Sequence, residues 1–166
     1  GKSTMQNGER EMRCSVRRAE QAEMQAVLAF AAQIFADEQQ IPREMNVIPA
    51  EKQPQWFCME QDGVLTGTAA VYREGGRWHM GCITVAPSLR GQHRGTFLMK
   101  SVLTEVFAQG VDNIFLEARD ATVHILTGFG AEIAGESFAF YCGNVNRGRV
   151  TPILLKRVDF VRNTRK

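Results

Sequence analysis

Cysteine is scarce in this chain and shows no pairing pattern. Cys14, Cys58, Cys82 and Cys142 lie far apart and form no CxxC pair. That spacing excludes a disulfide framework or a zinc ribbon, and predicts buried free thiols in a reducing, cytoplasmic compartment with no metal site. Long apolar runs are also missing. None approaches the roughly 20 residues a membrane helix needs, and no charged-then-apolar signal segment opens the sequence, so no membrane partner is expected. An excess of one charge is missing too. With 20 Lys and Arg against 18 Asp and Glu, the net charge of +2 is too small to imply nucleic acid. There is no internal repeat and no low-complexity segment. Tyr72 and Tyr141 are the only tyrosines, which leaves few phenolic proton donors.

What is present is an ordinary globular composition, 44% hydrophobic and 23% charged, at a length that suits one domain and crowds two. Residues 1–12 are polar and read as a disordered leader. Gly1 to Thr4 echo the end of a phosphate-binding loop, but no strand or upstream glycine precedes them, so the echo carries no weight. A first strand fits Arg13 to Arg18. From Glu20 to Phe35, the spacing of Met24, Val27, Leu28, Ala31, Ile34 and Phe35 predicts an amphipathic helix. Pro42, Pro49 and Pro54 break the pattern between Asp37 and Gln55 into a long loop with room for one short helix, and loops of that length are often functional.

Trp56 to Glu60 and Val64 to Arg73 flank a hairpin turn at Gln61 to Gly63, and Glu74 to Gly76 lead into a third strand ending at Val85. A helix over Gly95 to Ala108 places Leu98, Val102, Leu103 and Val106 on its core face and ends at a glycine cap, Gly110. A strand over Asn113 to Ala118 completes a strand–helix–strand unit with parallel pairing. A brief helix over Ala121 to Phe129 and two strands, around Glu132 to Tyr141 and Arg149 to Lys156, follow. The order is that of a mixed α/β (α+β) domain, residues 13–157, with one central mixed sheet of six to seven strands and helices on both faces. Residues 158–166 read as a basic tail.

The informative segment is the passage from strand to helix between Cys82 and Met99. Past Pro87 it crosses a basic, glycine-bearing turn with Arg90, His93 and Arg94. A helix entered this way offers free backbone N–H groups to a bound phosphate. The ligand class so implied is a phosphorylated carrier.

Val85-x-Pro87-x-x-Arg90-Gly91-Gln92, then Arg94-Gly95, resembles the acyl-CoA-binding motif of the GNAT superfamily of N-acetyltransferases. Arg90 and Gly95 match the ends of that motif, and His93 stands where a middle glycine is expected. Three further segments are similar to the ElaA-like branch: Ile34 to Pro42, Leu116 to Arg119, and Phe129-Gly130 with Gly135-Glu136. Together these cover nearly all of residues 13–157.

The resemblance implies a single GNAT-like domain that moves an acyl group, most simply acetyl from acetyl-CoA, to a primary amine of a small molecule by direct attack in a ternary complex. Backbone N–H groups of Gln92, His93, Arg94, Gly95 and Thr96 then cradle the pyrophosphate of coenzyme A, beside Arg90 and Gly91. The strand of Ile83, Thr84 and Val85 carries the pantetheine and thioester oxygen on its main chain. Four side chains are candidates for proton transfer. Glu38 opens the acceptor-side loop, and Glu117 lies near the end of the neighbouring strand. His79 shares a face with Gly81, Ile83 and Val85 by period-two counting, and Tyr141 follows the late helix. Where the branch has a tyrosine general acid this chain has Leu126, Pro152 stands near the branch's C-terminal histidine, and His124 is expected to be exposed.

Two alternatives accompany this reading. One is an acyl-CoA-binding regulatory module without efficient turnover. The other is a transferase served by acyl carrier protein, docking on Arg147, Arg149, Lys156 and Arg157. A homodimer is admitted, since dimers are common among relatives of that fold.

Overall fold

The computed structural model describes residues 13–38, 48–142 and 144–165, without the side chains of Glu38, Cys142, Val145 and Arg147. The expected leader, and residues 39–47 of the loop expected between Asp37 and Gln55, lie outside the described residues. Strand β1 (Cys14–Arg18) leads through a single 3-10 turn (Gln21–Glu23) into helix α1 (Met24–Glu38). After a second 3-10 turn at Ala50–Lys52 come β2 (Gln55–Gln61), β3 (Val64–Glu74) and β4 (Arg77–Val85). Helix α2 (Arg94–Ala108), β5 (Asn113–Ala118) and α3 (Asp120–Gly128) follow. The chain closes with β6 (Glu132–Ile133), β7 (Phe138–Cys142), β8 (Val145–Lys156) and α4 (Arg157–Thr164).

All eight strands join one mixed sheet in the order β1-β2-β3-β4-β5-β8-β6, with β7 also paired to β8. Six to seven strands were expected; the eighth arises because the run from Glu132 to Tyr141 divides into β6 and β7. Only β4 and β5 pair in parallel, as the α2 crossover requires.

Alternation in β2 sorts the core onto two faces. Phe57 and Met59 join α2 in one cluster, while Trp56 and Cys58 join α1 in the other. Helix α1 buries Val27, Ala31, Ile34 and Phe35 at helical spacing, but Leu28 turns to solvent. Helix α2 buries Leu98, Met99, Val102, Leu103, Val106 and Phe107. Each such side chain contributes about 1.5–3 kcal/mol when fully buried, which anchors the helix and hence its N-terminus. At the other end of the sheet, Arg17 donates to both Glu23 (2.6 and 2.9 Å) and Glu60 (3.0 and 3.3 Å), tying β1, the first turn and β2 together. The guanidinium, with the Glu20 N–H, holds the Glu23 carboxyl at about 2, well below its ordinary range.

The segment expected to be a basic tail is helix α4. Its Phe160 is buried at 3% exposure and packs on Phe107 and Phe129 at ring-centroid distances of 5.3 and 5.5 Å. A run dominated by charge concealed one apolar anchor, so the folded unit runs past residue 157. Phe160→Ala should lower the free energy of unfolding by about 3–5 kcal/mol, measured by urea denaturation; a loss under 0.5 kcal/mol, as from a solvated tail, would refute this packing role.

Candidate functional site

The site begins with a defect in β4. Gly81 pairs with Ala70 and Thr84 with Thr68, so Cys82 and Ile83 together face Ala69 alone, a β-bulge in which Cys82 takes φ 51°. The bulge removes the Cys82 carbonyl from regular pairing, and Thr68 restores its partner. The Thr68 Oγ1 donates to the Cys82 oxygen at 2.9 Å and lies 2.6 Å from the Thr84 Oγ1. One hydroxyl carries one proton, so Thr84 is the donor in that second bond. Both threonines are buried. Thr84, expected to help hold the carrier, spends its side chain on this clamp.

Beyond the bulge β4 leaves β5, whose register includes the single pair His79 with Phe115. The gap holds two cavities. One, of about 790 Å³, lies between the β4 end, the N-terminus of α2 and the start of α3. The other, of about 210 Å³, lies between the strands and is lined by residues that include Phe35, Cys82, Glu117 and Phe140. Ile83, Arg119 and Thr122 line both.

Of the ten residues expected to hold the carrier, Ile83, Val85, Arg90, Gly91, His93, Arg94, Gly95 and Thr96 line the larger cavity. Thr84 does not, nor does Gln92, whose amide is directed at the Ser88 carbonyl. The first bond within α2 runs from the Phe97 N–H to the His93 oxygen, and no side chain caps the helix. The N–H groups of Arg94, Gly95 and Thr96 therefore have no partner inside the helix. Three arginines, Arg90, Arg94 and Arg119, face one carboxylate, Asp120, around this cavity. The Arg94 Nε is buried without a hydrogen-bond partner, whereas Arg90 donates to the Val85 carbonyl at 2.8 and 3.2 Å. Arg90 thus braces the turn, and Arg94 is the cation better placed for an anion.

The two irregular positions of the turn differ in cause. His93, at φ 60°, takes a left-handed conformation, and its exposed side chain projects without being packed. Gly95 has no such need. A methyl group there would meet Ile125, Met99 and Val85 at 3.6 to 4.0 Å, ordinary contacts. Glycine within a helix costs about 1 kcal/mol relative to alanine, so the packing gives no reason for it. Its consequence is open space at the helix mouth.

The proton-transfer candidates separate. Glu117 is exposed and lines the smaller cavity. His79 lines neither cavity. It stacks on Tyr72 at 5.4 Å, meets Phe115 edge-on at 5.3 Å, and its Nε2 donates to the Glu74 carbonyl at 3.1 Å. The bulge also reverses the parity of β4, so Val85 lies on the opposite face from His79, contrary to period-two counting. Tyr141 is 56% exposed and lines neither cavity. The Glu38 side chain lies outside the described residues. Leu126 is fully buried in the core, and His124, exposed as expected, lies on the larger cavity's rim. Sequence reasoning missed Arg119, Asp120, Thr122 and Ile125. Their signal was their place at the start of α3, a second helix N-terminus facing α2.

The free cysteines include Cys14, Cys58 and Cys82, of which only Cys58 is fully buried. Burial pushes the Cys82 thiol up to about 12 and the Cys58 thiol to about 11. Among the basic residues expected on a docking face, Arg149 donates to the Ser137 carbonyl at 2.6 Å, Lys156 pairs with Glu132 at 3.5 Å and Arg157 with Asp112 at 3.1 Å. The Arg147 side chain lies outside the described residues. No helix among the described residues is long and apolar enough to cross a membrane.

The profile of the Acetyltransferase (GNAT) family matches residues 19–130. No curated protein matches. Among solved structures, Escherichia coli ElaA superposes with a TM-score of 0.72 at 15% identity, covering 88% of this chain and 100% of that one. The ribosomal-protein-S18-alanine N-acetyltransferase of Escherichia coli gives 0.68 at 19% identity, covering 87% and 94%. FeeM, an N-acyl amino acid synthase from uncultured soil microbes, gives 0.71 at 12%, covering 93% and 96%.

Thr68→Val, which keeps the shape and removes the clamp, should cost about 1–3 kcal/mol of stability by urea denaturation. A change below 0.5 kcal/mol would mean that the bulge does not need it. At pH 8 the Cys82 peptide should take up iodoacetamide on the order of 10³-fold more slowly than free cysteine, because so little thiolate is present. Labelling at the rate of free cysteine, read by peptide mass mapping, would contradict the upward shift.

Proposed function

Since the chain belongs to the GNAT acetyltransferase family, we propose that it transfers an acetyl group from acetyl-CoA to a primary amine of a small molecule, by direct attack in a ternary complex. The observation that carries the donor assignment is Gly95. It is a helix residue that packing does not require to be glycine, at a mouth lined by uncapped N–H groups and the orphaned Arg94 Nε. Those features fit the pyrophosphate of coenzyme A. Hydrogen bonds to a charged group contribute roughly 1.5–3 kcal/mol each, more than the helix dipole's 0.3–1. The turn therefore works chiefly through backbone access.

The pantetheine then runs along the β4 edge freed by the bulge, with the main chain of Ile83 and Val85 as its partners. The Val85 carbonyl already accepts from Arg90, so carrier and arginine compete for that oxygen or share it. The acyl end reaches the smaller cavity, where Glu117, the carboxylate among its described lining residues, takes the amine proton directly or through water. The amine nitrogen bonds to the carbonyl carbon, the carbon–sulfur bond breaks, and the pair stays on sulfur as thiolate. Leu126 cannot protonate that sulfur and Tyr141 is outside the cleft, so solvent supplies the proton. A positioned acid usually contributes roughly 10²–10⁴-fold, and turnover is expected to be slower by part of that range. A thiol held near 12 is a poor nucleophile, which favours direct transfer over an acyl-Cys82 intermediate.

A binding module without turnover is the second reading, favoured by the apolar late helix at Leu126. Titration calorimetry with acetyl-CoA and with CoA tests the donor site, and thiol release with a panel of primary amines separates enzyme from module. Gly95→Leu should weaken CoA binding at least tenfold with the circular dichroism spectrum unchanged. Equal affinity would remove the turn from the donor site, and no binding to the native chain would end the assignment.

A further inference from the structure

Resting on that acetyltransferase reading, we propose that the Tyr72 hydroxyl, standing behind Gly81, is a second polar contact for the acceptor nitrogen beside Glu117, and that it selects primary over secondary amines. Tyr72 does not itself line the smaller cavity, but Gly81 and Glu117 do. The strand register brings the three together. Tyr72 pairs with His79 across β3 and β4, and His79 with Phe115 across β4 and β5. Alternation puts those three side chains on one side of the sheet. Gly81 and Glu117, two residues further along their strands, fall on the same side.

The ring and the hydroxyl of Tyr72 do different things. The ring stacks on His79, with 5.4 Å between centres and 11° between planes. Lys52, 5.7 Å from the ring centre, is itself paired with Glu74 at 2.8 Å. The hydroxyl leans along β4 toward the cavity. A Cβ on Gly81 would meet the Tyr72 Cε1 and Oη at 3.8 Å each, ordinary contacts, and Gly81 lacks the left-handed backbone that favours glycine. Neither packing nor conformation therefore requires glycine here, and glycine weakens a strand. Its consequence is that no side chain stands between the phenol and the cavity. Burial, with Glu74, Cys82 and Glu117 nearby, pushes the phenol above its ordinary range and keeps it protonated. A neutral primary amine presents two N–H groups. One faces Glu117, which takes the proton as the carbon–nitrogen bond forms and the carbon–sulfur bond breaks. The other donates to the Tyr72 oxygen, which exchanges no proton. A secondary amine has one N–H and cannot make both bonds.

The test measures thiol release from acetyl-CoA with propylamine and phenethylamine and with their N-methyl analogues. Tyr72→Phe, which keeps the ring on His79, should lower the kcat/KM ratio of primary to N-methyl amines about 3–10-fold, chiefly by raising KM for the primary amines. Gly81→Ala should lower the ratio likewise, and the double variant no further than either single one, because both remove the same contact. An unchanged ratio in Tyr72→Phe would overturn the proposal, as would an equal loss for both amine classes, the mark of a structural role. Losses that add in the double variant would overturn the route past Gly81. Silence with every amine while acetyl-CoA still binds by calorimetry would overturn the acceptor assignment alone. Failure of acetyl-CoA to bind would overturn the donor reading on which it rests.

Discussion

Strands β4 and β5 meet in register at His79 and Phe115, and the candidate site exists because they part beyond that pair. Parallel neighbours ordinarily stay together, since each unmade ladder bond leaves a polar group to satisfy. Here the separation is secured from the other side. The bulge at Cys82 is held to β3 by Thr68 and Thr84, and the Ala86 N–H donates to the Thr66 carbonyl at 2.8 Å. The end of β4 is thus committed to β3, and its opposite edge is left open toward β5. The resulting gap joins a cavity under α2 and α3 to another among β5, β7 and α1.

Helix placement follows from the same geometry. Six buried residues of α2 fix it on one face of the sheet, and its uncapped N-terminus comes to rest at the mouth of the gap. Helix α3 begins at the end of β5 with Arg119 at its cap position and faces α2 across Ile125 and Gly95. Two helix N-termini and three arginines then surround one cavity, a field that favours an anionic ligand. The smaller cavity shares Arg119 with the larger one and adds Glu117 beside apolar lining residues.

Several expectations failed for identifiable reasons. His79 and Val85 share a parity in the chain but not a face, because one extra residue at the bulge inverts every side chain after it. Thr84 sits among the expected carrier residues, yet a buried hydroxyl must find a partner and this one found Thr68. Arg90 matches a phosphate-binding motif and lines the larger cavity, and its side chain also donates to the Val85 carbonyl of its own turn. The basic run at the C-terminus hid Phe160, a single aromatic ring whose burial outweighs the polarity around it.

The order of strands and helices, the helical face of α2 and the basic turn before it were legible in the residues themselves. These depend on local periodicity, on proline and glycine, and on charge close in sequence. So was the family, through motifs whose spacing survives in one dimension. What only the tertiary structure decided was which of the chemically suitable side chains meet. Glu117 and Arg119 are brought to the cleft while His79 and Tyr141 are turned away from it, because a bulge and a strand separation act between segments distant in the chain. No periodicity within either segment records them.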